Sequence, residues 1–200
     1  MSIIDKVIAA VTTPESEQAR RDAGAKAQAA ATPGDWLSRV LTHHEQIEAA
    51  FAAVKTAESI TARLAAQKKL AILLTGHANA EEAVLYPALA GAEHKSHAST
   101  AYTEQAMAKM QMGLLETVPP LVAEYLDKLE HIRNAVVHHM YEEESKWFME
   151  LKQSVEALEQ ERLAQRYEEE FVRYVGADVE DSQVRLRVGG GSFESVGQQA

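Results

Sequence analysis

The sequence predicts an all-α protein, an antiparallel up-down four-helix bundle with helical extensions at both ends. Three observations carry that expectation. Apolar residues recur at three- and four-residue steps through four long segments. The breaks between those segments are short and marked by Gly and Pro, which makes successive helices antiparallel neighbours. At 200 residues and 46% hydrophobic content, the chain is long enough for one well-buried core and too short for two domains of ordinary size.

Residues 1–34 read as an N-terminal extension, a short apolar helix and then an Ala-rich charged stretch that ends at Thr32-Pro33-Gly34. The bundle spans 35–152. Asp35 is placed to cap the first helix, whose apolar line is Leu37, Val40, Leu41, Ile47, Phe51 and Val54. The second helix starts near Ser59, carries Leu64, Leu70, Leu73, Leu74 and Leu85, and is disturbed at Pro87. After a turn at Gly91, the third runs from about Glu93 to Glu116 with Ala101, Met107, Ala108, Met110 and Leu115, and ends at Val118-Pro119-Pro120. Pro120 suits the first turn of the fourth helix, which carries Leu121, Tyr125, Leu129, Ile132 and Val136 and continues through Trp147 and Phe148. Residues 153–178 read as a charged helix whose Leu158, Leu163, Phe171 and Val172 could pack on the bundle or on a partner, and 179–200 as a flexible tail.

Composition removes several classes of function. Without cysteine there are no disulfides, thiolate metal sites or cysteine nucleophiles, so any metal takes nitrogen and oxygen ligands. A formal charge of −10 disfavours nucleic-acid phosphates and anionic lipid as partners. No run approaches a membrane span of roughly 20 apolar residues, and the opening is too short in apolar residues for a secretory signal. A cytoplasmic location is the expectation.

All eight histidines fall between His43 and His139. Within that span one pattern occurs twice, His77-Ala-Asn-Ala-Glu81-Glu82 on the second helix and His139-Met-Tyr-Glu142-Glu143-Glu144 on the fourth. Residues i and i+4 share a helix face about 6 Å apart along the axis, so His77 projects with Glu81 and His139 with Glu143. Both pairs continue apolar lines, Leu70 to Leu85 and Leu129 to Val136, and so face inward. Buried carboxylates without a cation are strongly disfavoured, and no Lys or Arg occupies these lines. Metal is the simplest compensation. Imidazole with carboxylate suits iron, or less well manganese, and two carboxylates can bridge ions about 3.5 to 4 Å apart. On the first helix, His44 lies on the line Val40, Ile47, Phe51. The third helix offers His94, His97 and Glu104 on one face, and reflection about the Gly91 turn favours His97 and Glu104. Glu82, Glu142, Glu144, His43, His131 and His138 read as solvated or supporting groups, and the methionines near Met107 as core filling.

These residues resemble the hemerythrin HHE cation-binding family: His44 in LTHHEQIEAAF, His77 and Glu81 in HANAEEAVLYP, His139 and Glu143 in HHMYEEESKWF. The resemblance covers about 35–152. It implies a non-haem centre of two iron ions bridged by oxygen and two carboxylates, with Glu81 and Glu143 bridging and His44, His77 and His139 as terminal imidazoles. Oxygen carriers of the family place two histidines four residues apart on the third helix, whereas here His94 and His97 are three apart, followed by Glu104. Glu143 in place of the carriers' Asp is closer to bacterial HHE domains. The expected function is to bind or reduce dioxygen or peroxide, in oxidative-stress handling, oxygen sensing or iron buffering. Two alternatives are a peroxidase- or catalase-like enzyme and a metal-dependent interaction module that grips a protein partner or a second copy through the C-terminal helix.

Overall fold

Three short polar side chains start the first three helices of the computed structural model, which describes residues 15–176. Ser16, Asp35 and Ser59 accept hydrogen bonds from the backbone N–H groups of Ala19, Ser38 and Ala62 at 3.1, 2.7 and 3.1 Å. Each thereby satisfies a donor that the first helical turn leaves without a partner. They open α1 (Glu17–Ala30), α2 (Trp36–Thr56) and α3 (Ile60–Ala80). Helix α3 runs through a π-helical turn, Glu81–Leu85, into α4 (Tyr86–Gly91). Next come α5 (Lys95–Leu115) and α6 (Ala123–Glu142), and α6 runs through a second π turn, Glu143–Trp147, into α7 (Phe148–Ser154). The last is α8 (Ala157–Val175).

All regular structure among the described residues is helical. Helix α2 packs on α3, α4 on α5, α5 on α6, and α6 back on α2. This closed ring is compatible with a four-helix bundle. Its interior is filled by Trp36, Leu37, Val40, Ile47, Phe51, Leu70, Leu85, Leu89, Leu115, Tyr125, Leu129, Phe148 and Leu151, all at most 2% exposed. Burial of each such aliphatic or Phe side chain stabilises the fold by about 1.5–3 kcal/mol, so the apolar lines are what bring the polar residues between them together.

Two expectations are corrected at the end of the ring away from the π turns. Pro120 is not in the first turn of α6, which starts at Ala123 after an extended Val122. Its carbonyl is taken by the buried Arg63, whose guanidinium donates to Pro120 O at 2.6 Å and also to Ala57 O at 2.5 Å and Val54 O at 3.3 Å. One side chain thus ties the end of α2 to the turn before α6. Because Arg63 and Gln67 take the inward positions, Leu64 is 47% exposed, and Leu121, ahead of the late helix start, is 56% exposed.

The terminal helices lie on the ring. Helix α1 packs on the second π turn and on α2, α6 and α7, while α8 packs on α3, α2 and the first π turn. Leu163 and Phe171 of α8 are buried in its own chain, whereas Leu158 and Val172 are exposed. The predicted apolar helix at the start of the chain and the predicted tail fall in 1–14 and 177–200, outside the described residues. No helix among the described residues is long and apolar enough to cross a membrane.

Asp35 also accepts from Thr32 N at 2.8 Å and from Lys152 Nζ at 2.6 Å. Burial raises its pKa, but Lys152 and the two backbone donors outweigh that and hold it below its ordinary 3.8. Asp35→Ala should therefore lower unfolding free energy by about 1–2 kcal/mol near neutral pH. A depressed carboxylate stabilises above its unfolded pKa and loses that contribution as pH falls through the folded one. Urea titrations at pH 7 and below pH 3 should show the penalty shrinking on acidification; an equal penalty at both would contradict this assignment.

Candidate metal centre

The repeated His/Glu pattern ends in a repeated backbone irregularity. Glu81 and Glu143 each open a π turn, in which Tyr86 N–H donates to Glu81 O and Phe148 N–H to Glu143 O, five residues back. A wider turn changes which later side chains follow the carboxylate inward, and Tyr86 and Phe148 are both fully buried. Single π turns in α-helices frequently mark functional sites.

Side chains of His44 from α2, His77 from α3, and Glu81 and Glu143 from the two π turns converge. One ligand atom from each lies within 4.8 Å of all the others, and all four residues are buried. His77 Nε2 is 3.2 Å from Glu81 Oε2, and His44 Nε2 is 3.3 Å from Glu143 Oε2. The second approach does not make a hydrogen bond. His44 Nε2, Glu143 Oε2 and Glu81 Oε1 are buried without any hydrogen-bond partner. Three such orphans in one place are costly unless something binds them, and a divalent cation that accepts nitrogen and oxygen donors fits all three.

The imidazoles are aimed by groups behind them. His44 Nδ1 bonds Glu144 at 2.7 Å, His77 Nδ1 bonds the Tyr167 hydroxyl at 3.0 Å, and His139 Nδ1 bonds Glu104 at 2.8 Å. In each case Nδ1 is held from outside and Nε2 turned inward, the arrangement that fixes ring orientation and tautomer in metal-binding histidines. Tyr167 also bonds His43 Nδ1 at 2.8 Å. One assignment satisfies every group: His77 Nδ1–H donates to the tyrosine oxygen and the tyrosine O–H donates to His43 Nδ1. Phe171 stacks on His43 at 3.8 Å between ring centroids. A Cβ on Gly76 would meet Val175 at 2.3 Å, so only glycine lets α8 lie this close beside His77.

His139 is one step from the four. Its Nε2 is 3.3 Å from Glu143 Oε1 and 3.0 Å from the Tyr86 hydroxyl. That hydroxyl is also 2.8 Å from Glu143 Oε1 and 3.3 Å from Glu81 Oε2, and accepts from Gln105 Nε2 at 2.6 Å. Glu143 therefore presents Oε2 to His44 and Oε1 to Tyr86 and His139, whereas Glu81 meets His77, Tyr86 and Gln105 with the same oxygen, Oε2.

Protons and charge are unevenly divided among these groups. Burial and then the negative charge of Glu143 push Glu81 well above the ordinary carboxylate range. Glu143 is also pushed up by burial, but His139 and His44 overcome this and hold it well below that range. Burial lowers His44, yet Glu143 and Glu144 raise it to about 10. His139 is raised by Glu143 and Glu104 against the same desolvation. For His77, burial and the neighbouring His44 and His43 act together and push it well down. Burial, with His44 and Arg39, lowers His43 to about 3, leaving it neutral.

Of the seven predicted metal residues, the structure gathers His44, His77, Glu81 and Glu143 and sets His139 beside them. Glu104 stands behind His139 instead of at the centre. His97 is elsewhere, 2.8 Å from Glu150 through Nδ1. The reason is helix phase: the buried line of α5 is Ala98, Ala101, Gln105, Met112 and Leu115, one residue around from the face expected. The polar group that α5 points inward is Gln105, which donates to Glu81 Oε2 at 2.5 Å. Its signal was that line, blurred by alanines on neighbouring faces. Tyr167 was missed although it stands midway between Leu163 and Phe171, both read as packing residues. His43 is fully buried and supports His77 through Tyr167, Glu144 supports His44, and Glu82 pairs with Lys109 at 2.8 Å.

Two spaces reach the group. A cleft of about 620 Å³ between α1, α2 and α6 is lined by Arg20, Gly24, Glu48, Arg133, His44 and Glu144. A void of about 20 Å³, lined in part by His77, Gln105 and His139, has room for one water-sized molecule.

Fold and site together define a helical protein with a buried nitrogen and oxygen donor set for metal cations. The hemerythrin HHE cation-binding domain model matches residues 36–151, and the chain belongs to that family. A protein of Nostoc sp. (strain PCC 7120 / SAG 25.82 / UTEX 2576) named DNA nickase is 28% identical over 94 residues, 47% of this chain. The chain spans 27% of the length of that relative. No solved structure matches significantly.

Tyr167→Phe removes the hydroxyl on which His43 and His77 both depend. Metal affinity, read by competition with a chelator, should fall roughly 10- to 100-fold with helix content unchanged; an affinity equal to that of the native chain would show that Tyr167 only packs.

Proposed function

We propose that this protein is a non-haem iron protein whose buried centre binds or reduces dioxygen or peroxide. The observation that supports this best is the set of three buried, unpartnered atoms, His44 Nε2, Glu81 Oε1 and Glu143 Oε2, with His77 Nε2 beside them. Imidazole and carboxylate donors together suit iron better than magnesium or calcium, which prefer oxygen alone. The surrounding bundle is the antiparallel up-down arrangement of the family.

Two ions would be held here: His44, His77, Glu81 and Glu143 would hold one. His139, with Glu143 and Glu81, would hold the other, on the side where the Tyr86 hydroxyl and Gln105 meet them. When bound, the pair of irons supplies electrons to dioxygen or peroxide by changing oxidation state.

What the chain itself does follows from its own groups. Glu144, Tyr167 and Glu104 keep Nε2 of three imidazoles pointing inward. Tyr86, whose pKa burial and then Glu143 and Glu81 push well up, remains a neutral hydroxyl that donates a hydrogen bond. Leu74, Ala108 and Val136 line the small void beside His77 and His139 and limit it to small molecules. The wider cleft that reaches His44 mixes Arg20, Arg21 and Arg133 with Glu17, Glu45, Glu48 and Glu144, so it does not select for anions. An oxygen or peroxide sensor, store or scavenger is favoured by the small void beside His77 and His139. The nickase name is not carried over, because the chain covers 27% of that relative and its charge of −10 offers phosphates no attraction.

Metal analysis of protein purified anaerobically, followed by visible spectra on exposure to air and to peroxide, tests this reading. Native protein should carry about two irons and change spectrum with either oxidant. His77→Ala should lose most of the iron and His43→Ala keep most of it. Glu143→Ala should abolish the oxidant response. One zinc and no response in the native protein, or equal iron in all three variants, would overturn the proposal.

A further inference from the structure

A second group of metal-ligating side chains lies outside the buried centre and takes no part in it. His94, at the start of α5, and His97, one turn later, both direct Nδ1 at one oxygen of Glu150 on α7, at 3.3 and 2.8 Å. Their ligand atoms fall within 4.8 Å of one another. The imidazole rings are nearly parallel, 6° apart with centroids at 5.8 Å. Between this group and the centre stands one buried indole, Trp147, which stacks on His97 at 6.1 Å and meets His139 edge-on at 5.7 Å.

Two features separate this arrangement from an ordinary polar surface. Among the described residues, no lysine or arginine pairs with Glu150, so its charge is met only by two imidazoles that share a single oxygen. The turn that delivers His94 is also strained. Glu93 has φ of 70°, the left-handed region that a side chain with a Cβ rarely adopts. That conformation lets His94 N–H donate to Leu89 O at 3.1 Å and sets His94 one turn ahead of His97. Backbone strain held at a cluster of ligand-type side chains is a pointer to function.

We infer that His94, His97 and Glu150 form an outer site for one divalent transition-metal ion of the zinc(II) or iron(II) class, independent of the buried centre. Two imidazole nitrogens and one carboxylate oxygen make a donor set that hard cations such as magnesium do not prefer, and a three-residue set leaves positions for water. The side chains are 22–28% exposed, which gives solvent access to those positions. The binding of an ion to Nδ1 of both rings replaces the His97 hydrogen bond to Glu150 with coordination and neutralises the carboxylate.

The test uses zinc with the full-length protein. In the native chain, Zn²⁺ should shift the ring C–H NMR signals of His94 and His97, and calorimetry should report one equivalent beyond those taken by the buried centre. His97→Gln and Glu150→Gln should each weaken it at least roughly tenfold, with circular dichroism unchanged. Glu81→Gln, which alters the buried centre, should leave the shifts of His94 and His97 intact, so a failure of the proposed function and a failure of this site are told apart. The inference is overturned if the two histidine signals do not move on zinc addition, or if Glu150→Gln binds the outer equivalent as tightly as the native chain.

Discussion

Two carboxylates and three imidazoles meeting inside an apolar ring of helices are the constraint on which the rest of this structure depends. Glu81 and Glu143 are fully buried, and His44, His77 and His139 nearly so. Ionised groups taken out of water cost several kcal/mol each unless something repays the loss of solvation. Here the chain repays part of it with protons. Glu81 is pushed towards its neutral acid, while His44 and His139 are pulled towards imidazolium around an anionic Glu143. That arrangement still leaves His44 Nε2, Glu81 Oε1 and Glu143 Oε2, with Gln105 Oε1 beside them, buried without partners. A cation among them resolves both the charge and the orphans at once, which is why metal binding and the stability of the core are one problem in this protein.

The two helices beyond the matched family segment are part of that solution. Helix α8 places Tyr167 between His43 and His77 and seals their side of the ring, with Phe171 over His43 and Gly76 allowing the close approach. On the opposite side, α1 lies against the second π turn, where Gly24 would bring a Cβ within 3.2 Å of Glu144. Glu15, just before α1, pairs with His138 at 2.8 Å. Both helices thus act on groups directly behind the imidazoles. An interaction module built on α8 would have to use its outer face, since Leu163, Tyr167 and Phe171 are already committed inside the chain.

What the sequence could reveal follows from how strongly each feature is written in hydrophobic spacing. The long helices, the Asp35 cap and the inward direction of His44, His77, Glu81 and Glu143 rest on Leu, Ile, Val and Phe at helical steps, and the structure brings those four polar residues together. On α5 the spacing is diluted by alanine, which is small enough to sit on any face, so a one-residue phase error exchanged Gln105 for Glu104 and sent His97 outward. The π turns leave no mark in composition, because a widened turn arises from the packing that it serves. Tyr86 was visible as an aromatic nine residues after His77, but its place at the junction of His139, Glu81 and Glu143 depends on that turn. Arg63 was hidden for a different reason: a buried guanidinium that serves four carbonyls looks in sequence like one more charge on a solvated face.

The most direct test of the claim that cations hold this core together is the unfolding free energy of native and Glu81→Gln protein, each measured metal-loaded and after chelation. The account predicts that chelation lowers the stability of the native chain by several kcal/mol, roughly as ligand linkage requires, and that Glu81→Gln, which exchanges a carboxylate ligand for an amide but keeps the shape, shrinks the gap between loaded and chelated forms to a small fraction. Equal stability of loaded and chelated native protein, or an undiminished gap in Glu81→Gln, would contradict it.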